Sequence, residues 1–378
     1  MGKKLKAVVI GAAHVHILEV CAYCNENEDI ELAAVADTEP ILPHELENDK
    51  PYTRRWNLEF VKKYGVKVYG DYIEMLDKEK PDLALITTEN VKHAEVYEQC
   101  AIRGITASVE KPFACNLAEA LKMARLAEQN NAEIYVNWPI AWRLWLYQMK
   151  DVLDSGRVGK LIKVRHLAGM TGAVGIGAKH RGTGDIVAEP MSPSEKARMW
   201  WYNASCGGGA LLDMCCYGSM TSDWLAGEPA QGVQAMQGNF NSRWGSADDN
   251  ACMLVRFPNS IAVLEGTWTA PALSIEPGPE IFATEGVIRC ERRGTSAVVK
   301  VMDIYGKEEH LEPYPENPNL KNIAYAYAHH KATGAPMPHM TLLENNIRVI
   351  AMLDAGIRSV RSGDYETVDN AAWCKQKP

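Results

Sequence analysis

At 378 residues the chain is longer than one hydrophobic core usually spans, and 47% hydrophobic with 23% charged residues is ordinary for a globular protein, so two domains are expected. A formal charge of -8, with no block of like charges, speaks against nucleic acid or an anionic membrane as a partner and leaves a small molecule. No run approaches the roughly 18 apolar residues of a membrane span, and the apolar stretch in "MGKKLKAVVIGAAHVH" is too short for a signal peptide, so a cytoplasmic location is expected.

In chain order, "KAVVIG" (6–11) reads as a buried strand, "HILEVCAYCNEN" (16–27) as a helix, and "IELAAVAD" (30–37) and "PDLALITT" (81–88) as strands. "KHAEVYEQCAIRG" (92–104) is a helix closed by Gly104, "ITASVEKP" (105–112) a strand, "NLAEALKMARLAEQNN" (116–131) a helix and "AEIYVNW" (132–138) one more strand. Alternation of this kind means crossover connections, hence a doubly wound α/β domain on a parallel sheet. After "DSGRVGKL" the pattern changes to longer strands joined by turns: 162–170, 232–240, 251–257, 260–270, 286–291 and 296–303. That predicts an α+β domain with an open-faced, mostly antiparallel sheet. "LLENNIRVIAMLDAGIRSVRSG" (342–363) closes it as an amphipathic helix ended by Gly363. The division is read as 1–128 for a nucleotide domain and 129–378 for a substrate and oligomerisation domain, with the last helix free to pack back on the first.

The ten cysteines are expected to be reduced. Cys21 and Cys24 form a C-x-x-C, but well inside a helix rather than at its N-terminus, where the dipole would lower a thiol pKa, so they read as packing.

The turn "VVIGAAHVH" keeps Gly11 of a G-x-G-x-x-G pattern, with Ala13 and His16 in the other two places. It follows a strand and opens a helix, so the amides around Gly11, Ala13, His14 and Val15 are read as a pyrophosphate cradle at a helix N-terminus. Asp37, ending the next strand, is read as the acceptor of the adenosine ribose hydroxyls; "TEP" after it supplies no arginine, so NAD is expected in preference to NADP. His14 and His16 would cap or pack the helix start. As residues i and i+2 they share no helix face and have no third ligand nearby in sequence, so no metal is expected.

The segments "TTENVKHAEV" (87–96), "SVEKPFACN" (108–116), "GGGALLDMCCYG" (207–218) and "IFATEGVI" (281–288), in this order, resemble the Gfo/Idh/MocA family of oxidoreductases. The resemblance implies a Rossmann domain followed by an open-faced sheet, with the nicotinamide between them. It matches Thr88, Asn90 and His93 to a T-P-N-x-x-H segment bordering the ribose and nicotinamide, with Glu89 in the proline's place. It matches Glu110, Lys111 and Pro112 to an E-K-P whose lysine contacts cofactor and substrate and whose Lys-Pro bond is cis. In most of the family D-x-G-x-H follows the glycines; here Asp213 is followed by Tyr217 where histidine is usual.

The expected chemistry is NAD-dependent oxidation of a secondary hydroxyl on a sugar, glycoside or cyclitol. Lys111 is expected to be essential for that chemistry, of limited importance for folding, and drawn toward a neutral pKa by burial and the cationic nicotinamide. Tyr217 is expected in the proton-transfer position, on one helix with Asp213, which would hold a substrate hydroxyl. Asn137, Trp138, Trp142 and Trp201 are expected to line the substrate site, since flat apolar rings beside polar groups suit a carbohydrate ring. The open sheet face implies a homo-oligomer, a dimer or tetramer. The alternatives are an enzyme of this fold that retains NAD through transient oxidation, and a non-catalytic sugar or dinucleotide sensor.

Overall fold

The computed structural model describes residues 4–370 apart from 176, 177 and 295, so the basic start of the chain and residues 371–378 lie outside the described residues. The chain opens with β1 (Leu5–Ile10), whose last four residues are all buried. A run without alternation suits a strand covered on both faces by crossover helices. There follow α1 (Ile17–Glu26), β2 (Ile30–Ala36), α2 (Arg54–Val61), β3 (Lys67–Tyr69), α3 (Tyr72–Glu79), β4 (Leu83–Ile86), α4 (His93–Ala101), β5 (Thr106–Glu110), α5 (Leu117–Asn130) and β6 (Ile134–Asn137). The strands form a six-stranded sheet ordered β3-β2-β1-β4-β5-β6, and each neighbouring pair is parallel. The order reverses between β1 and β4, and the crevice beyond the C-terminal ends of strands at such a switch point is where ligands bind. Because β6 belongs to this sheet, the first domain runs past the boundary expected at residue 128.

The second half contains α6 (Leu144–Asp154), β7 (Leu161–Gly169), α7 (Pro193–Ala197), α8 (Ala210–Asp213), α9 (Cys215–Ala226), β8 (Gly232–Gly238), β9 (Asn250–Arg256) and β10 (Ile261–Thr267). It ends with β11 (Glu280–Ala283), β12 (Gly286–Arg293), β13 (Ser296–Asp303), β14 (Glu308–His310), α10 (Ile323–Thr333), α11 (Leu343–Ser362) and β15 (Glu366–Thr367). Its nine-stranded sheet is ordered β14-β13-β12-β11-β7-β10-β9-β8-β15. It is antiparallel except where β10 runs parallel to β7. In β9, Ala251, Met253 and Val255 are buried while Cys252, Leu254 and Arg256 are exposed, so one face is covered and the other open.

Two helices tie the halves together. From α10, Tyr325 Oη donates to Glu26 O at 3.0 Å and Tyr327 Oη to Asp82 O at 2.8 Å, so it is this helix that packs on the base of the first sheet. α11, capped by Gly363 at φ 78°, lies between the sheets: Trp138 Nε1 donates to Asn346 Oδ1 at 2.8 Å, and Ala235 N donates to Ser359 Oγ at 2.9 Å. Cys21 and Cys24 are buried in α1, and burial pushes the Cys24 thiol up to about 12, which fits packing rather than redox exchange. Among the described residues no helix is long and apolar enough to cross a membrane.

Candidate active site

Lys111 follows β5 directly, and the Lys111–Pro112 bond is cis. The side chain leaves the strand end toward α8, where Nζ donates to Asp213 Oδ1 at 2.5 Å and to Asp213 O at 3.2 Å. Trp268 Nε1 donates to the other carboxylate oxygen at 3.0 Å. Lys111 Nζ also lies 4.6 Å from the centroid of the Tyr217 ring, against which Trp138 packs edge-on at 5.7 Å. Lys111 and Asp213 are therefore a buried pair against the half-buried Tyr217 ring.

Four expectations change here. Burial pulls the Lys111 ammonium down, but Asp213 and Tyr217 outweigh it and hold the pKa well above the usual lysine range, so the amine is not near neutral. Burial likewise raises the Tyr217 phenol above its ordinary value against the pull of Lys111. Nor do Asp213 and Tyr217 share one helix. The chain breaks at Met214 (φ -106°, ψ -44°), between α8 and α9. The first amides of the short α8 are held by Asp248: Ala210 N donates to its carbonyl at 3.0 Å and Leu211 N to its Oδ2 at 2.8 Å. At Gly209, φ is +116° and a Cβ would stand 2.2 Å from Asp248 Oδ1, so this glycine serves close approach of Asp248. Asp213 is engaged by Lys111 and Trp268 rather than free to hold a substrate hydroxyl. Removing one partner of such a buried pair costs about 3–5 kcal/mol, so Lys111 matters for folding as well.

The turn after β1 is tight. Gly11 has φ +97° and a Cβ there would meet the Thr88 methyl at 2.5 Å. His14 N donates to Thr87 O at 3.0 Å and Trp200 Nε1 to Ala13 O at 3.0 Å. Ala13, His14 and Val15 are each at most 3% exposed. His14 and His16 precede the first turn of α1 with ring centroids 4.3 Å apart, so the helix-face argument that separated them does not apply. His16 Nδ1 lies 2.9 Å from Glu110 Oε2, and Asn137 Nδ2 donates to Glu110 Oε1 at 2.6 Å. Burial lowers the His16 pKa, but Glu110 and Glu19 outweigh it and the net shift is upward; His14 is held well below its usual value by burial and its cationic neighbours.

At the Asp37 end the carboxylate is already partnered. Oδ1 accepts from Ala12 N at 2.8 Å, Thr38 N at 2.8 Å and Arg54 Nη2 at 2.9 Å, and Oδ2 accepts from Arg54 Nε at 2.8 Å. Arg54, whose side chain has no exposure, also donates through Nη1 to Glu89 Oε1 at 2.7 Å and reaches Glu45 Oε2 at 3.4 Å. Burial pushes Glu45 up to about 7. Glu89, in the family's proline place, thus belongs to an arginine-centred cluster. The absence of an arginine in "TEP" did not exclude one: Arg54 arrives from α2.

The long connection between β7 and α8 covers this edge of the sheet. Tyr52 Oη donates to Ile186 O at 2.5 Å, Lys50 pairs with Glu195 at 2.7 Å, and Trp200 stacks on Trp201 at 3.8 Å, whose ring stands edge-on to His14 at 4.6 Å. In this arrangement the turn is covered by the Trp200–Trp201 segment and Asp37 Oδ1 already accepts three hydrogen bonds, so a dinucleotide in the pose implied by the sequence enters only if that cover moves. The other end differs: His14 Nε2, Asn90 Oδ1, His93 Nε2, Asn137 Oδ1 and Trp201 Nε1 are buried without a hydrogen-bond partner. Native interiors rarely leave such atoms orphaned, so they fit the polar groups of a small ligand.

The remaining expected residues are spread around this cluster. Thr88 packs on Gly11, Asn90 Nδ2 donates to Gly207 O at 2.7 Å, and His93 Nδ1 lies 3.3 Å from Phe113 O with its pKa lowered to about 4 by burial. Trp138 is core, fully buried between Tyr217 and α11. Trp142 lines a separate cleft of about 420 Å³ with Trp145, Arg143, Arg292 and Tyr314. Arg54, Trp268 and Asp248 were not read from the sequence, which carries no local mark for them.

Residues 5–138 match the model of an oxidoreductase family with an NAD-binding Rossmann fold, and residues 146–289 match the GFO/IDH/MocA C-terminal domain. The chain belongs to the GFO/IDH/MocA oxidoreductase family. It is 29% identical to the rhizopine catabolism protein MocA of Rhizobium meliloti over 40% of this chain and 42% of the relative. It is 28% identical to inositol 2-dehydrogenase of Salmonella typhimurium over 27% of this chain and 31% of that protein. These matches span less than half the length of those relatives. The fold is similar to aldose-aldose oxidoreductase from Caulobacter crescentus (TM-score 0.73, 18% identity, covering 97% of this chain and 100% of that one). It is also similar to an oxidoreductase from Agrobacterium radiobacter in complex with NAD+, L-tartaric acid and magnesium (TM-score 0.72, 17% identity, 97% and 99% covered).

Proposed function

We propose that the chain oxidises a secondary hydroxyl of a sugar, glycoside or cyclitol, or reduces the corresponding carbonyl, with NAD as its nicotinamide partner. The observation that carries this reading is the buried Lys111–Asp213 pair against the Tyr217 ring, beside polar atoms that lack protein partners. Relatives named for inositol and D-apiose dehydrogenation support the substrate class. The preference for NAD rests on the Asp37 carboxylate, and Arg54 at its side is the feature that would soften it. NAD uptake requires the Trp200–Trp201 turn to move off Ala13 and His14.

The chain's own residues divide the proton work. Lys111, charged through its pairing with Asp213, donates hydrogen bonds to the substrate oxygen and stabilises negative charge developing there. The proton of that oxygen passes through the Lys111–Asp213 pair. Tyr217 stays neutral and acts as a hydrogen-bond donor, since its phenol is raised above its ordinary value. The open face of the second sheet, with Ile162, Leu254 and Ile261 exposed, supports pairing with a second copy. A panel of polyols, glycosides and cyclitols with NAD tests the reading: reduced nicotinamide should form with at least one compound, and silence across the panel with both NAD and NADP would overturn it.

A further inference from the structure

We propose that His14, His16 and Glu110 form a binding site for a divalent transition-metal cation of the zinc class. The three offer ligand atoms that all lie within 4.8 Å of one another. Two imidazoles and a carboxylate are a donor set that zinc-type cations favour, and three protein ligands leave a position for water or a substrate oxygen. The sequence hides this set because Glu110 comes from the end of a different strand. The parallel order of β1 beside β4 and β4 beside β5 brings it to the turn.

A second observation points to a ligand at the same place. His14 is 1% exposed, yet its Nε2 has no partner, while its Nδ1 accepts from His16 N at 3.1 Å. A buried, unpaired ring nitrogen is costly, and coordination is one way to satisfy it. Glu110 is steadied from behind by Asn137 at 2.6 Å, the kind of outer contact that orients a metal-bound carboxylate. His180 adds a further imidazole at the rim, with its ring centroid 6.4 Å from that of His16.

Bonds of about 2.0–2.2 Å to a tetrahedral ion set ligand atoms about 3.3–3.6 Å apart, so His16 Nδ1 and Glu110 Oε2, now 2.9 Å apart, would separate slightly to admit the ion while His14 closes on it. His14 would coordinate as neutral imidazole through Nε2, with its proton moved to Nδ1 and the contact to the His16 amide given up. The proton shared by His16 Nδ1 and Glu110 Oε2 would leave to solvent, because both atoms then face the cation.

The test uses the full chain, stripped of metal by chelator and titrated with Zn2+ and, separately, Co2+. The expected result is one ion per chain, with Co2+ giving the strong visible absorption of a low-coordinate site. His16→Asn and Glu110→Gln should each weaken binding by at least about tenfold. If those variants fail to fold, the wild-type imidazole NMR signals decide: Zn2+ must shift those of His14 and His16. Substoichiometric uptake, equal affinity in folded variants, or shifts confined to other histidines would overturn the site. Turnover does not enter, so a failed substrate screen leaves this test standing, and failure of metal uptake leaves the hydride-transfer reading standing.

Discussion

Beyond the end of β2, the carboxylates of Asp37, Glu45 and Glu89 converge on one buried arginine that engages all three, and of their oxygens Glu89 Oε2 alone is buried without a partner among the described residues. Beyond the ends of β4 and β5, in the same crevice, His14, His93, Asn90, Asn137 and Trp201 each bury an atom with none. Burying a polar group is tolerable only when it is satisfied, so the first region is stabilised by its own chain and the second awaits something outside it. The difference locates ligand chemistry at the Lys111 end and assigns a structural burden to the Asp37 end.

The largest expected effect follows from Arg54. Arg54→Met strips the cation from the Asp37–Glu45–Glu89 cluster and leaves buried carboxylates unpaired, so stability should fall by about 3–5 kcal/mol in a denaturant titration. A loss under about 1 kcal/mol, the range of an exposed pair, would mean the cluster is solvated and the contrast false.

Next comes Tyr217→Phe, which keeps the ring against Trp138 and Lys111 but removes the hydroxyl. Turnover should fall by about a hundredfold while the thermal transition stays within a few degrees. Because the phenol is raised above its ordinary value, the wild-type pH profile of kcat/KM should show no Tyr217 inflection below about pH 10. Wild-type turnover in the variant would remove the hydroxyl from the chemistry.

The smallest effect concerns Glu45, whose pKa is raised by burial from 4.5 to about 7. A carboxyl raised in the folded state binds its proton more tightly there, so wild-type stability is favoured below pH 4.5 and lost as pH rises toward 7. Glu45→Gln removes that loss and should gain on wild type across this window, by on the order of 2 kcal/mol. A difference that does not change with pH would place the Glu45 proton elsewhere.

Much of this was legible in the sequence, for local reasons. Gly11, the strand ending in Asp37, and the E-K-P at Glu110–Pro112 declare themselves through short-range pattern and turn chemistry. What stayed hidden is long-range: Arg54 reaching Asp37 from another helix, Trp268 holding Asp213 from 55 residues on, and His16 meeting Glu110 across 94 residues. The break at Met214 was equally hidden, as was Asp248, which holds the first amides of α8 from the loop before β9. Spacing can propose that Asp213 and Tyr217 share a face; it cannot report a cap that arrives from elsewhere in the fold.

The most direct test of the Lys111 end is the initial rate of reduced-nicotinamide formation on the best compound of the polyol, glycoside and cyclitol panel. Wild type, Lys111→Met and Lys111→Arg should be compared at a temperature where all three are folded by circular dichroism. Lys111→Arg keeps a cation beside Asp213 and so separates chemistry from the cost of an unpaired buried carboxylate. Both variants are expected to lose about two to four decades of turnover. Turnover in folded Lys111→Met equal to wild type would contradict the account.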